Sequence, residues 1–252
     1  MQVPSFPYAD RLAHRLKTGK PRRYNQCMDK VDLKSLDIDG LVEFMAGLGE
    51  PAFRARQLMH WMYEKRAASI DDITVFSKKL RQKLLTGAFI STLKLKDRVL
   101  DDDGTEKYLL ALEDGLAVEC VLIPDEDRLT LCVSSQVGCA QGCVFCKTGT
   151  MGMSRDLLAH EIVGQLLAVS GLLRQGRITH IVFMGMGEPL LNLLEVAKAI
   201  VGIITGILGM SPRRITVSTC GVVPGILDLP FKAPGVNLAV SLNAASDHVR
   251  DS

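Results

Sequence analysis

The sequence has no long apolar run, no strong net charge and no even set of cysteines. Each absence excludes something. The most apolar stretch, "AKAIVGIITGILGM" at 197–210, is short for a membrane span and carries three glycines, so it reads as a buried helix and no membrane partner is expected. No apolar core follows the basic residues of the N-terminus, so no secretory signal is expected. Seven cysteines, an odd number, argue against a disulfide framework and for a reducing, cytoplasmic setting. A formal net charge of +2 excludes a molecule that is basic all over. What remains is an ordinary globular balance, 47% hydrophobic and 23% charged over 252 residues, enough for one large domain or two small ones.

The charge is uneven. Residues 1–30 hold Arg11, Arg15, Lys17, Lys20, Arg22, Arg23 and Lys30 against Asp10 and Asp29. This basic flexible arm suits phosphate contact, and equally a solvated tail. Residues 31–95 form an N-terminal helical accessory domain. "SLDIDGLVEFMAGLG" has Ser35 or Asp37 as caps; "PAFRARQLMHWMYEKR" starts on Pro51 and places Phe53, Leu58, Trp61 and Met62 at helical spacing; "FSKKLRQKLLTG" closes on Gly87. Residues 96–127 read as a β linker segment with turns at Asp103-Gly104 and Asp114-Gly115. From 128 to 252 strands and helices alternate: strands at 129–134, 178–184, 214–218 and 236–242, helices at 155–174, 191–208 and near 224–228. Apolar strands in that order mean a parallel sheet, with chemistry gathered at the strands' carboxyl ends.

A further absence lies in "SSQVGCAQGCVFCKTG", residues 134–149. Cys139, Cys143 and Cys146 stand as C-x-x-x-C-x-x-C, and no fourth cysteine follows closely. A structural zinc site wants four protein ligands, for which Cys132 is the remaining candidate, although it lies within a strand. Three thiolates suit a cuboidal 4Fe–4S cluster with one iron left open to a small molecule. Cys27, Cys120, Cys132 and Cys220 are scattered; Cys120 reads as core and Cys220 as packing beneath the Ser218 turn. His60 and His180 read as structural.

The cysteine spacing, with Phe145 before the last thiol, resembles the radical S-adenosylmethionine superfamily, and "FMGMGEPL" at 183–190 resembles its Gly-Gly-Glu-Pro element. "DEDRLTLCVSSQVGC", "GMGEPLLN", "RRITVSTCGVVPGI" and "PAFRARQ" resemble the RlmN-type RNA methyltransferases from about residue 35 onward. The resemblance implies an α/β fold: a partial (βα)6 barrel of the radical type, truncated after about four strands, with a small N-terminal helical domain and a connecting β-hairpin segment. It implies methylation of C2 of an adenine in 23S ribosomal RNA, and in transfer RNA, through a methylated protein cysteine and a radical made from S-adenosylmethionine. An electron donor such as flavodoxin is implied with it. Cys139, Cys143 and Cys146 would hold the 4Fe–4S cluster. Gly187, Glu188, Ser218, Ser241, Leu242 and Asn243 would hold S-adenosylmethionine, Asn243 standing where the family often has His. Glu119 would accept the proton and Cys132 would form the product-releasing disulfide. Read without the family, Glu119 is a solvent-facing strand residue and Cys132 a small buried hydrophobe.

The helical domain and basic arm fit an RNA whose target base is extruded from its stack. Arg54, Lys65, Arg66, Lys78, Lys79, Arg81 and Lys83 are candidate phosphate contacts, although each also suits an exposed helix face. The family's methylated cysteine lies in a C-terminal loop, and no cysteine follows Cys220 here. The chain is therefore expected to be a fragment, with an exposed sheet edge and poor solubility. The alternatives are a Cfr-like C8 methyltransferase and an inactive iron–sulfur or RNA-binding remnant.

Overall fold

The first α-helix begins where Asp37 can cap it: its carboxylate accepts from the Gly40 N–H at 2.9 Å and opens α1, Ile38–Gly47. The computed structural model describes residues 30–250; the expected basic arm and Cys27 lie outside the described residues, apart from Lys30. α2, Phe53–Met59, runs into a π-helical turn at His60–Glu64 rather than continuing as one α-helix. Ser77 caps α3, Lys78–Gly87, accepting from Leu80 N–H at 3.2 Å. Leu41, Met45, Leu58, Met62, Leu80 and Leu84 face inward and are buried. Phe53 departs from that pattern: it is half exposed, with the Arg54 guanidinium 5.0 Å from its ring centroid. A short parallel pair, β1 (Val31–Asp32) with β2 (Ala88–Phe89), closes the module.

The main sheet has seven strands in the order β11-β10-β9-β6-β5-β4-β3. β3 (Lys94–Leu100), β4 (Glu106–Ala111) and β5 (Ala117–Asp125) run antiparallel. Their turns place Gly104 at φ +83° and Gly115 at φ +84°, the left-handed region glycine tolerates. The segment expected to link two domains is thus part of the sheet itself. β5 pairs antiparallel with β6 (Arg128–Cys132); from there β9 (His180–Phe183), β10 (Ile215–Thr219) and β11 (Asn237–Val240) add on in parallel. These are the four parallel strands expected from the sequence.

α4 (Ala159–Leu172), α5 (Leu193–Ala197) and α6 (Val223–Lys232) supply the crossovers. α4 starts later than expected because residues ahead of it are extended: β7 (Gln136–Gly138) pairs with β8 (Met153–Asp156). α5 continues as a π-helical turn, Lys198–Thr205, where the Thr205 hydroxyl donates to the Ile200 carbonyl at 2.9 Å. The chain ends its described part in α7, Asp247–Arg250.

Register decides what faces what, because directly paired residues share a sheet face. Leu122 pairs with Leu131, Leu131 with Ile181 and Ile181 with Ile215. That row is buried under the helices, and each such side chain contributes about 1.5–3 kcal/mol of burial. The alternate row runs Val121, Cys132, Val182 and Thr216 on the other face. The edges differ. β3 is exposed throughout and carries Lys94, Lys96, Asp97 and Arg98, a charged edge that resists pairing. β11 leaves Leu238 and Val240 exposed, 41% and 51%.

The helical module is fixed to α4 by polar side chains. Asp32 accepts from Ser91 N–H at 3.2 Å and meets His160 Nε2 at 3.3 Å. Burial pulls His160 below its ordinary range, opposed by the Asp32 charge. Arg155 grips Glu161 with both terminal nitrogens, at 2.7 and 2.8 Å, and also meets Asp114 at the β4–β5 turn. Gln165 of α4 is fully buried; its Oε1 accepts from Ser134 N–H at 2.8 Å and its Nε2 donates to Ser134 O at 2.9 Å. Gln165→Leu strands both backbone groups and is expected to lower stability by ~2–5 kcal/mol, read as a drop in urea midpoint at constant m-value. A loss below ~1 kcal/mol would contradict this assignment.

Candidate functional site

The candidate site lies at the carboxyl ends of β6, β9 and β10, where three polar backbone loops are tied together. Ser134, just beyond β6, donates its hydroxyl to Glu119 O at 2.6 Å and accepts from Met186 N–H at 2.8 Å. Ser135 N–H donates to Met186 O at 2.8 Å. Gln136 accepts from Glu188 N–H at 2.8 Å and donates to Asp156 at 2.7 Å. Glu188 is buried; one carboxylate oxygen accepts from Leu190 N–H at 3.1 Å and the other from Cys220 N–H at 2.9 Å. Its charge thus joins the turn after β9 to the loop after β10. Asn192 closes the set, donating to Ser135 O and Leu157 O, each at 2.8 Å.

Gln136, Gln165 and Asn192 are given no role by the sequence reading. The signal was present: buried amides inside otherwise apolar segments need partners. Gly187 sits at φ +98°, and a Cβ there would come within 2.5 Å of the Gln136 side chain. The glycine turn therefore presses against the start of the thiol loop.

The loop itself is shaped by glycine. Gly138 has φ +80°, and an added Cβ would lie 1.9 Å from Gly152 O. Cys139 N–H donates to that same Gly152 carbonyl at 2.9 Å. Gly142, at φ +65°, turns the chain back, and Cys146 N–H closes onto Cys143 O at 3.0 Å. Cys139 is buried, while Cys143 and Cys146 are half-buried. Burial, with smaller contributions from Cys143, Cys146 and Glu188, raises the Cys139 thiol above its ordinary range. Val144 and Phe145 stand exposed at 95% and 69%.

The donor set, three thiols on one loop, suits an iron–sulfur cluster. Three thiols share one wrapped loop and feel one another's charge. Among the described residues no three His, Cys, Asp or Glu side chains converge as a single bound ion would require. Cys132 does not join them, being buried in β6.

Cys132 and Glu119 share a sheet face. Cys132 pairs with Val121, two residues from Glu119 along β5. The Glu119 carboxylate is half exposed and pairs with Lys107 Nζ at 3.2 Å. Burial raises the Cys132 thiol. Ser218 lies on the same face, half-buried, one strand beyond Val182. Ser241 is held at the end of β11 by its N–H to Thr219 O at 2.9 Å, and with Leu242 and Asn243 it is exposed. The structure thus gathers the thiol loop, Gly187, Glu188 and Ser218, with Ser241 beside them; Leu242 and Asn243 stand at the rim.

One expectation needs correction. Cys220 does not pack beneath the Ser218 turn: the residue is exposed, and its backbone N–H caps Glu188. Local burial of the thiol, then the Glu188 charge, push it up to about 12. Three of the basic residues named as candidate phosphate contacts each make one hydrogen bond within the module. Arg54 bonds Gln57 at 2.8 Å, Arg81 bonds Asp71 O at 2.8 Å, and Lys83 bonds Leu48 O. Cys120 is core, as expected.

Fold and loop together are those of the radical S-adenosylmethionine superfamily, whose family profile matches residues 133–252. The profile of the ribosomal RNA large subunit methyltransferase N-terminal domain matches residues 31–90. The dual-specificity RNA methyltransferase RlmN of Pelobacter propionicus is 51% identical over 224 residues, covering 88% of this chain and 64% of that protein. RlmN of Geotalea uraniireducens is 50% identical over 226 residues, covering 89% of this chain and 64% of that protein. The crystal structure of a radical SAM methyltransferase from Sphaerobacter thermophilus matches with a TM-score of 0.80 at 42% identity, over 88% of this chain and 66% of that one. The chain belongs to the RlmN family of radical S-adenosylmethionine methyltransferases. It spans 64% of the length of the two RlmN relatives named. Among the described residues no helix is long and apolar enough to cross a membrane.

Gly138→Ala is expected to leave the far-ultraviolet circular dichroism intact but to cut iron incorporation on anaerobic reconstitution severalfold; full iron loading would contradict the steric account. A second expectation concerns pH. Burial, with smaller contributions from Cys132 and Glu119, pushes the Cys120 thiol up to about 12. An unfolded thiol titrates near ~8.5, so above that pH the unfolded chain loses a proton that the folded chain keeps. Stability attributable to Cys120 is therefore full below ~8.5 and falls by ~2 kcal/mol by pH ~10. Cys120→Ala should flatten the fall in unfolding free energy over that window; an unchanged slope would contradict it.

Proposed function

We propose that this chain carries the radical and cofactor-binding parts of an RNA methyltransferase acting on C2 of an adenine in 23S ribosomal RNA and in transfer RNA. The observation that carries the reading is the three-thiol loop tied through Gln136 to the Gly187–Glu188 turn, in a chain 51% identical to a dual-specificity RNA methyltransferase. Residues 31–95 serve as the accessory domain for RNA, 96–127 connect it, and 128–252 form the radical core. The setting is cytoplasmic, with a flavodoxin-like electron donor.

Cys139, Cys143 and Cys146 hold the 4Fe–4S cluster. Gly187, Glu188, Ser218, Ser241, Leu242 and Asn243 hold S-adenosylmethionine. When bound, these groups supply a carbon radical able to act at an aromatic carbon that ordinary displacement leaves untouched. The remaining work falls to the chain's own residues. Glycine at 187 lets the backbone approach the ligand where a side chain would collide. The Glu188 carboxylate, already accepting two backbone N–H groups, retains lone pairs for an ammonium donor. Glu119 takes the proton leaving C2, for which it must release Lys107. Cys132 sits in a dry site on that same face, where its thiol stays protonated until a base reaches it.

The site is tested by uncoupled turnover. The reconstituted chain with S-adenosylmethionine and dithionite is expected to release 5′-deoxyadenosine, and Cys143→Ala to abolish both the release and the iron. Equal product from Cys143→Ala would sink the proposal. Nucleoside mass spectrometry on RNA treated with the full-length protein then reads 2-methyladenosine against 8-methyladenosine, the latter contradicting C2.

A further inference from the structure

We propose that a groove at the amino ends of β9 and β10, at the opposite end of the strands from the thiol loop, holds the phosphodiester backbone of the RNA substrate. This rests on the RNA reading above. The groove measures about 640 Å3 and draws its lining from three parts of the fold. Arg66 follows the π-turn of the helical module, Ser170 lies on α4, and Arg177, Arg213 and Arg214 come from the approaches to β9 and β10. Four guanidinium groups thus surround one space. The carboxylate in the lining is Glu64, which pairs with His60 at 2.9 Å. Among the described residues no carboxylate pairs with Arg177, Arg213 or Arg214, and all three are exposed. Four like charges around one groove repel one another unless an anion sits among them.

Arg66 adds an independent observation. Its φ is +57°, a left-handed conformation, just past the end of the π-turn. Glycine is the residue such a position favours, and a side chain there costs about 1–2 kcal/mol. The strained residue reaches across to α4, where its Nη1 donates to Ser170 O at 3.2 Å. That bond uses one of its five N–H donors.

The geometry selects a polymer over a small anion. Guanidinium forks match phosphate oxygens, and the four here are carried by separate parts of the fold around one groove. β10 is five residues long, so about 17 Å separates the groove from the candidate site. A base at the carboxyl ends and a phosphate in the groove belong to different nucleotides, and only a chain reaches both. The groove positions RNA without reading its bases.

The test uses the whole chain and a short fluorescein-labelled RNA hairpin with an unpaired adenine, titrated by anisotropy between ~50 and ~200 mM salt. Arg177→Gln/Arg213→Gln/Arg214→Gln is expected to bind at least ~10-fold more weakly and to reduce the slope of log K against log salt by about two to three. The corresponding triple lysine variant keeps most of the slope. Release of 5′-deoxyadenosine without RNA stays at the wild-type rate in both. If the glutamine triple fails to fold, Arg177→Gln alone is expected to lower the slope by about one. An unchanged slope in a folded glutamine variant overturns the groove and leaves the RNA reading standing. A wild-type chain that shows no salt-dependent binding overturns both.

Discussion

Two buried side chains, Gln136 and Glu188, hold the ends of three strands in one arrangement. Gln136 reaches from the loop after β6 to the backbone after β9. Glu188 reaches from there to the backbone after β10. Loops normally move relative to the elements they join, because few buried contacts restrain them. Here each loop is stapled to the next by a hydrogen bond in a water-poor site: the bond to the neutral Gln136 amide oxygen contributes about 0.5–1.5 kcal/mol and the bond to the Glu188 carboxylate about 1.5–3 kcal/mol. The proposed cluster-binding loop and ligand-binding turn would have to keep a fixed separation, and rigid strand ends joined this way provide it.

The same strands separate two chemistries by alternation. One face carries Leu131, Ile181 and Ile215 into the helical layer, and the other presents Cys132, Val182 and Thr216. A one-residue slip would exchange the faces. The buried row resists that slip, so hydrophobic burial sets the position of the polar groups. The antiparallel strands extend the logic, since pairing with β6 is what brings Glu119 to the face of Cys132.

Much of this was legible in the residues. The three thiols and their flanking glycines marked the loop, and Asp103-Gly104 and Asp114-Gly115 marked turns that occur where expected. Four apolar runs marked the parallel strands. Other features were hidden for physical reasons. A 3.6-residue period does not distinguish an α-turn from the π-turns at His60–Glu64 and Lys198–Thr205. β7 and β8 are too short to show alternation, so residues 155–156 read as the start of a helix. Cys220 looked like packing because a cysteine's exposure depends on what covers it in the fold, and here the residue is exposed. Arg177, Arg213 and Arg214 are far apart in sequence from Arg66, and only the fold sets them around one groove.

The central claim is that three thiols leave one iron of a cluster open for a second ligand. Mössbauer spectroscopy of the chain reconstituted with 57Fe tests it most directly. On adding S-adenosylmethionine, one iron of four is predicted to change its isomer shift and quadrupole splitting while the other three keep theirs. Four irons that ignore the ligand, or a chain that takes up zinc and no iron, would contradict the claim.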